Sequence, residues 1–155
     1  HRTARRPQRR IPENKKLKIF REGEARGPLI PGCLSLITCL LDTEYCPSFK
    51  NSILVIEDIG ETGYKLDRLL MTLKLHEVFD EISGLILGDF VSTDDDLDKN
   101  GFALNNLLDE LLGGYEFPVL TNFAYGHIKN RLTLPVGIQA SLTTEPANFC
   151  IFFSR

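Results

Sequence analysis

No apolar run in this sequence approaches the roughly 20 residues that span a bilayer. The arginine-rich N-terminus has no apolar segment behind it and does not read as a secretory signal. The four cysteines, Cys33, Cys39, Cys46 and Cys150, form no CxxC pair and have no histidines at zinc spacing, which argues against a zinc framework. A chain of 155 residues can bury its own core without staples. The thiols therefore read as reduced and the protein as cytoplasmic. Several catalytic signatures are missing as well. GETGYK (60–65) lacks P-loop spacing, and His76-Glu77 has Asp80 where a metalloprotease helix needs its second histidine. There is no GxSxG elbow. In DDDLDKNG (94–101), a calcium-loop alignment puts Leu107 where the bidentate glutamate belongs, so an acidic solvated loop is the better reading.

What is present is ordinary in bulk and uneven in distribution. Hydrophobic content of 43% and charged content of 25% fit one globular domain. The net charge of −3 conceals an asymmetry: eight of the 18 basic residues but one of the 21 acids lie in residues 1–18. The remainder has ten basic against twenty acidic residues, an acidic body that argues against a nucleic-acid surface. HRTARRPQRRIPENKK (1–16) has few apolar residues and two prolines, so it reads as a disordered basic tail or linker. The chain opens on His1 rather than Met, as a piece of a longer protein would.

Periodicity sketches the rest. LKIFRE (17–22) alternates like a strand, and GEARGPLIPG (23–32) reads as a Gly/Pro loop. CLSLITCLL (33–41) is expected to be a short apolar helix. ILVIE (53–57) is a compact β-branched run, as in a strand covered on both faces. After it, Leu66, Leu69, Leu70 and Leu73 fall at helical spacing, and SGLILGDF (83–90) is another buried strand. GFALNNLLDELLGG (101–114) is a helix with a glycine stop. PVLTNF, LPVGIQASLTT and NFCIFF read as three closing strands. The predicted class is α/β: a mixed sheet with flanking helices and an antiparallel C-terminal portion.

Two positions carry candidate chemistry. Glu57 ends a buried strand, where open α/β sheets place ligands. His127 follows another strand, after Gly126. A lone histidine is a surface residue by default. Paired with an acid, it would have its tautomer fixed and its imidazolium stabilised by the carboxylate.

The ordered series of short motifs resembles the C-terminal domain of the LD-carboxypeptidase family of serine peptidases, which includes murein tetrapeptide carboxypeptidases and microcin C self-immunity proteins. The residues that carry the resemblance are Gly23-Glu24-Ala25-Arg26-Gly27, Glu57-Asp58-Ile59-Gly60-Glu61, Tyr64-Lys65-Leu66-Asp67-Arg68, Val78-Phe79-Asp80, Gly126-His127 and Leu134-Pro135-Val136-Gly137. It implies a swivelling β/β/α-like domain over residues 17–155 and assigns Glu57 and His127 to a Ser-Glu-His triad. The serine would come from an N-terminal nucleophile domain absent from this chain, which alone would be inactive. The implied substrate is a small murein-type peptide whose last amide precedes a D-residue, with no metal or cofactor required, and the family's tendency to pair implies a homodimer. Asp58 and Glu61 are expected to cap a helix start or face solvent. Where the family has G-G-N, the sequence has Pro31-Gly32-Cys33, and a cysteine cannot reproduce an asparagine amide's hydrogen bonds. The rival expectation is a stand-alone, non-enzymatic peptide- or protein-binding module of the same fold.

Overall fold

The computed structural model describes residues 8–10, 17–91, 104–144 and 147–152. Its strands are β1 (Gln8–Arg10), β2 (Lys18–Arg21), β3 (Glu24–Cys33), β4 (Ile53–Ile59), β5 (Gly84–Val91), β6 (Val119–Thr121), β7 (Gln139–Thr144) and β8 (Ala147–Phe152). The helices are α1 (Leu34–Leu40), α2 (Gly63–Leu75), α3 (Val78–Glu81) and α4 (Leu104–Leu112). The strands join in the order β1-β8-β7-β3-β4-β5-β6-β2. From β3 to β6 the pairs are parallel, while β2, β7, β8 and β1 are antiparallel to their neighbours. This is the mixed α/β sheet with an antiparallel C-terminal portion that the sequence predicts. Strand β1 falls inside the basic segment 1–16, whose other residues, like the acidic 94–101 loop, lie outside the described residues.

One expectation is corrected. The Gly/Pro stretch taken for a loop is β3, ten residues long and the hinge of the sheet. Its first half, Glu24–Pro28, pairs with β7, and its second half, Leu29–Cys33, pairs with β4. Both prolines fit because of this change of partner. The Leu29 amide and carbonyl bond to Ile138 and Gly137, on the side away from β4. Alternation turns the Pro31 nitrogen to that same side, beyond the end of the β7 pairing, and the Pro28 nitrogen to the other side, before the β4 pairing begins. Neither position needs the N–H that proline lacks. A second difference is smaller: only residues 139–144 of LPVGIQASLTT are strand.

Strand β4 is buried from Ile53 to Asp58, and its side chains alternate between two cores. Leu54 and Ile56 meet Leu34, Leu66, Leu70, Leu73, Leu108 and Leu111 in the helix-covered core. Ile53 and Val55 meet Leu29, Ile86, Leu120, Phe123 and Leu142 in the other. All four described helices lie on the first face, whereas the second is covered by β7 and the segment 122–138. The C-terminal carbonyls of α4 accept two cations from elsewhere, Arg21 on Leu112 and Lys74 on Leu111, each at 2.7 Å. Both complement the negative end of the helix dipole.

Leu70→Ala, at a fully buried site, is expected to cost about 2–5 kcal/mol in urea unfolding. Leu75→Ala, on the same helix but 75% exposed, should stay within about 0.5 kcal/mol of the parent.

Candidate active site

Glu57 continues the Ile53–Val55 side of β4, so alternation turns it away from the helices. A bulge interrupts the β4–β5 ladder at this point. Ile56 pairs with Leu87 and Asp58 with Phe90, so Gly88 and Asp89 together stand opposite Glu57. The bulge releases the Asp89 amide, which donates to the Tyr125 carbonyl at 2.9 Å, while the Phe123 amide donates to Leu87 at 3.1 Å. The chain leaving β6 is thereby held along the end of β5, after a turn at Asn122 in the left-handed region. Leu132 closes the loop by donating to Ala124 at 2.7 Å.

That loop carries His127 onto Glu57. Nδ1 and Glu57 Oε2 are 2.8 Å apart, with the Glu57 side chain 5% exposed and the His127 side chain 52% exposed. An ionised carboxylate can only accept, so Nδ1 carries the proton, and Nε2 has no hydrogen-bond partner among the described residues. The two residues singled out from the sequence, 70 positions apart, are thus joined.

Two glycines make the approach close enough. Gly126 has φ +120, and a Cβ there would lie 2.7 Å from Glu57 Oε2 and 3.0 Å from its Cβ and Cγ. A Cβ on Gly88 would meet the Tyr125 carbonyl oxygen at 2.5 Å and Glu57 Cβ at 3.0 Å. The carboxylate therefore lies between two positions where any side chain is excluded. Sequence reading noted Gly126 only as a neighbour of His127 and gave Gly88 no role. A glycine inside a buried strand was the available signal for a bulge or close approach.

Two further groups border the pair. Cys33 is the register partner of Glu57 on β3. Tyr125 packs half-buried on the second core. Burial, reinforced by the negative charge of Glu57 and by Cys33, pushes its phenol pKa up. Asp58, expected to cap the helix that follows it or to face solvent, is 3% exposed and instead accepts the Ser35 amide at the start of α1, beside the neighbouring strand. Glu61 pairs with Lys65 at 3.5 Å. His76 ends α2, its ring nitrogens 2.9 Å from the Thr72 carbonyl and 3.0 Å from Asp42, away from Glu57. Cys33, Cys39 and Cys46 are free thiols. Among the described residues no cluster of three or more His, Cys, Asp or Glu could hold a metal ion, and no helix is long and apolar enough to cross a membrane.

Residues 26–142 match the family model of the LD-carboxypeptidase C-terminal domain. The chain belongs to the LD-carboxypeptidase family. A putative carboxypeptidase from Synechocystis is 32% identical over 123 residues, covering 79% of this chain and 41% of that protein. The microcin C7 self-immunity protein MccF of Escherichia coli is 33% identical over 134 residues, covering 86% of this chain and 38% of MccF. The crystal structure of muramoyltetrapeptide carboxypeptidase from Oxalobacter formigenes aligns with a TM-score of 0.80 at 27% identity, covering 96% of this chain and 52% of that one. This LD-carboxypeptidase C-terminal domain thus spans about two-fifths of the length of the curated relatives it matches.

Gly126→Ala is expected to lower stability by about 1–3 kcal/mol, through φ strain and the clash with Glu57. The downfield Nδ1 proton of His127 in NMR spectra should be lost with it. The raised phenol of Tyr125 means that the folded state keeps a proton the unfolded chain releases, so stability falls as pH rises above about 10. Ultraviolet titration of the phenolate should show Glu57→Gln moving that ionisation back down.

Proposed function

We propose that this domain supplies the acid and the base of a serine-type LD-carboxypeptidase. The hydrolysed bond is the amide before a terminal D-residue in murein-type peptides. The observation that carries the reading is the 2.8 Å hydrogen bond between a buried carboxylate and a half-exposed imidazole. The murein peptide and muramoyltetrapeptide carboxypeptidases among its relatives support this substrate class, and the share of the relatives' length left unmatched leaves room for a nucleophile domain.

The chemistry follows from which nitrogen is free. Nδ1 is committed to Glu57, so Nε2 takes the proton from a serine hydroxyl as its oxygen attacks the peptide carbonyl. The imidazolium formed is stabilised by Glu57, whose burial strengthens that interaction and whose hydrogen bond keeps the ring from rotating. His127 then gives the proton to the leaving amine of the D-residue, and a water activated by the same Nε2 releases the acyl group. In this scheme the serine comes from an N-terminal nucleophile domain, as the resemblance implies, and the isolated domain is inert.

In the natural full-length protein, His127→Ala and Glu57→Gln are each expected to lower kcat/KM for D-alanine release from a murein tetrapeptide by at least about 100-fold. Circular dichroism should show the fold intact in both. Normal turnover by His127→Ala would overturn the reading in favour of a non-enzymatic binding module.

A further inference from the structure

The second buried carboxylate on β4 has no part in the chemistry above. Asp58 Oδ2 accepts the Ser35 amide at 2.8 Å, and Oδ1 accepts the Ile59 amide at 2.9 Å and the Cys33 thiol at 3.5 Å. The Cys33 sulfur also lies 3.2 Å from the Ser35 hydroxyl. Two of the three donors to Asp58 thus come from the junction between β3 and α1. That junction has little of its own to hold it, since α1 has no side-chain cap at Cys33 and no acid in its first turn. Asp58 supplies the missing acceptor from the adjacent strand. The same junction stands beside the catalytic carboxylate, because Cys33 is the register partner of Glu57. Neighbouring acids on β4 therefore face different tasks: Glu57 meets the imidazole, and Asp58 fastens the backbone that flanks it.

We propose that Asp58 is a positioning residue of this site. Through the Ser35 amide and the Cys33 thiol it fixes the β3–α1 junction as a side wall, and so sets how a substrate peptide seats beside Glu57. The proposal rests on the hydrolase reading for its substrate. Asp58 touches neither His127 nor the reacting atoms, so its loss changes seating more than proton transfer. Cys33 reports on the junction directly: once Asp58 no longer receives the thiol, the sulfur is freer to react.

The test uses Asp58→Ala and Asp58→Asn in the natural full-length protein. Asn is nearly isosteric and keeps one acceptor oxygen, so it guards against a fold lost in the alanine variant. Alkylation of Cys33 by iodoacetamide, followed by mass spectrometry of its own peptide, is expected to speed up at least about fivefold in Asp58→Ala and less in Asp58→Asn. The His127 Nδ1 proton signal should persist in both. With murein tetrapeptide as substrate, KM should rise at least about fivefold while kcat stays within about twofold. Unchanged Cys33 labelling in both variants, or a loss confined to kcat, would overturn the proposal. Absence of any cleavage by the parent protein would instead overturn the hydrolase reading, and the labelling rates would still decide whether Asp58 anchors the junction.

Discussion

Burying a carboxylate costs several kcal/mol unless it finds a partner, and Glu57, at 5% side-chain exposure, lies almost wholly out of water. Much of the local architecture answers that constraint. The β4–β5 bulge opens space beside the strand, the bulged Asp89 amide holds the loop from β6, and that loop delivers the Nδ1–H of His127. Both glycines that flank the carboxylate follow from the same need, since a larger residue at either would hold the imidazole away. The loop is secured at its far end too, where Gly137 and Ile138 bond to Leu29 on the strand next to β4. An arrangement fixed from both ends presents Nε2 with little rotational freedom, as the proposed role of general base requires.

How much of this was legible in the sequence depended on whether the signal was local. The stripe Leu66, Leu70, Leu73 and the run Ile53–Ile56 each announce their own element, because burial against one face or two leaves a period in the chain. Strand β3 announced the wrong one. Gly27, Pro28, Pro31 and Gly32 are turn residues by habit, and nothing nearby tells that the strand changes partners between the prolines. That information resides in β4 and β7, 20 or more residues away, and single-sequence propensity has no access to it. For the site, strand-end position and residue type singled out Glu57 and His127, whereas the bulge that brings them together emerged only from the register of β4 on β5.

Tyr125 and Cys33 show the same limit from the other side. Neither belongs to a motif that chemistry would pick out, yet each borders Glu57, one through a loop and one through a strand register. The carboxylate and its imidazole are gripped by close approaches at Gly88 and Gly126, whereas these walls are set by more distant parts of the chain.

Glu57 and Asp58 occupy consecutive positions on one extended strand, and the pleat sends them to opposite faces. Sliding β4 by a single residue could put Asp58 in the place of Glu57 and Glu57 in the place of Ile56. The shorter acid would come up under the imidazole, and the longer one would be forced into the helix-covered core. Strand register is therefore a chemical specification here as well as a structural one. A one-residue deletion between Ser52 and Ile59 would rewire the site even if every hydrophobic position found a substitute, so over evolutionary time this segment should accept substitutions far more readily than changes in length.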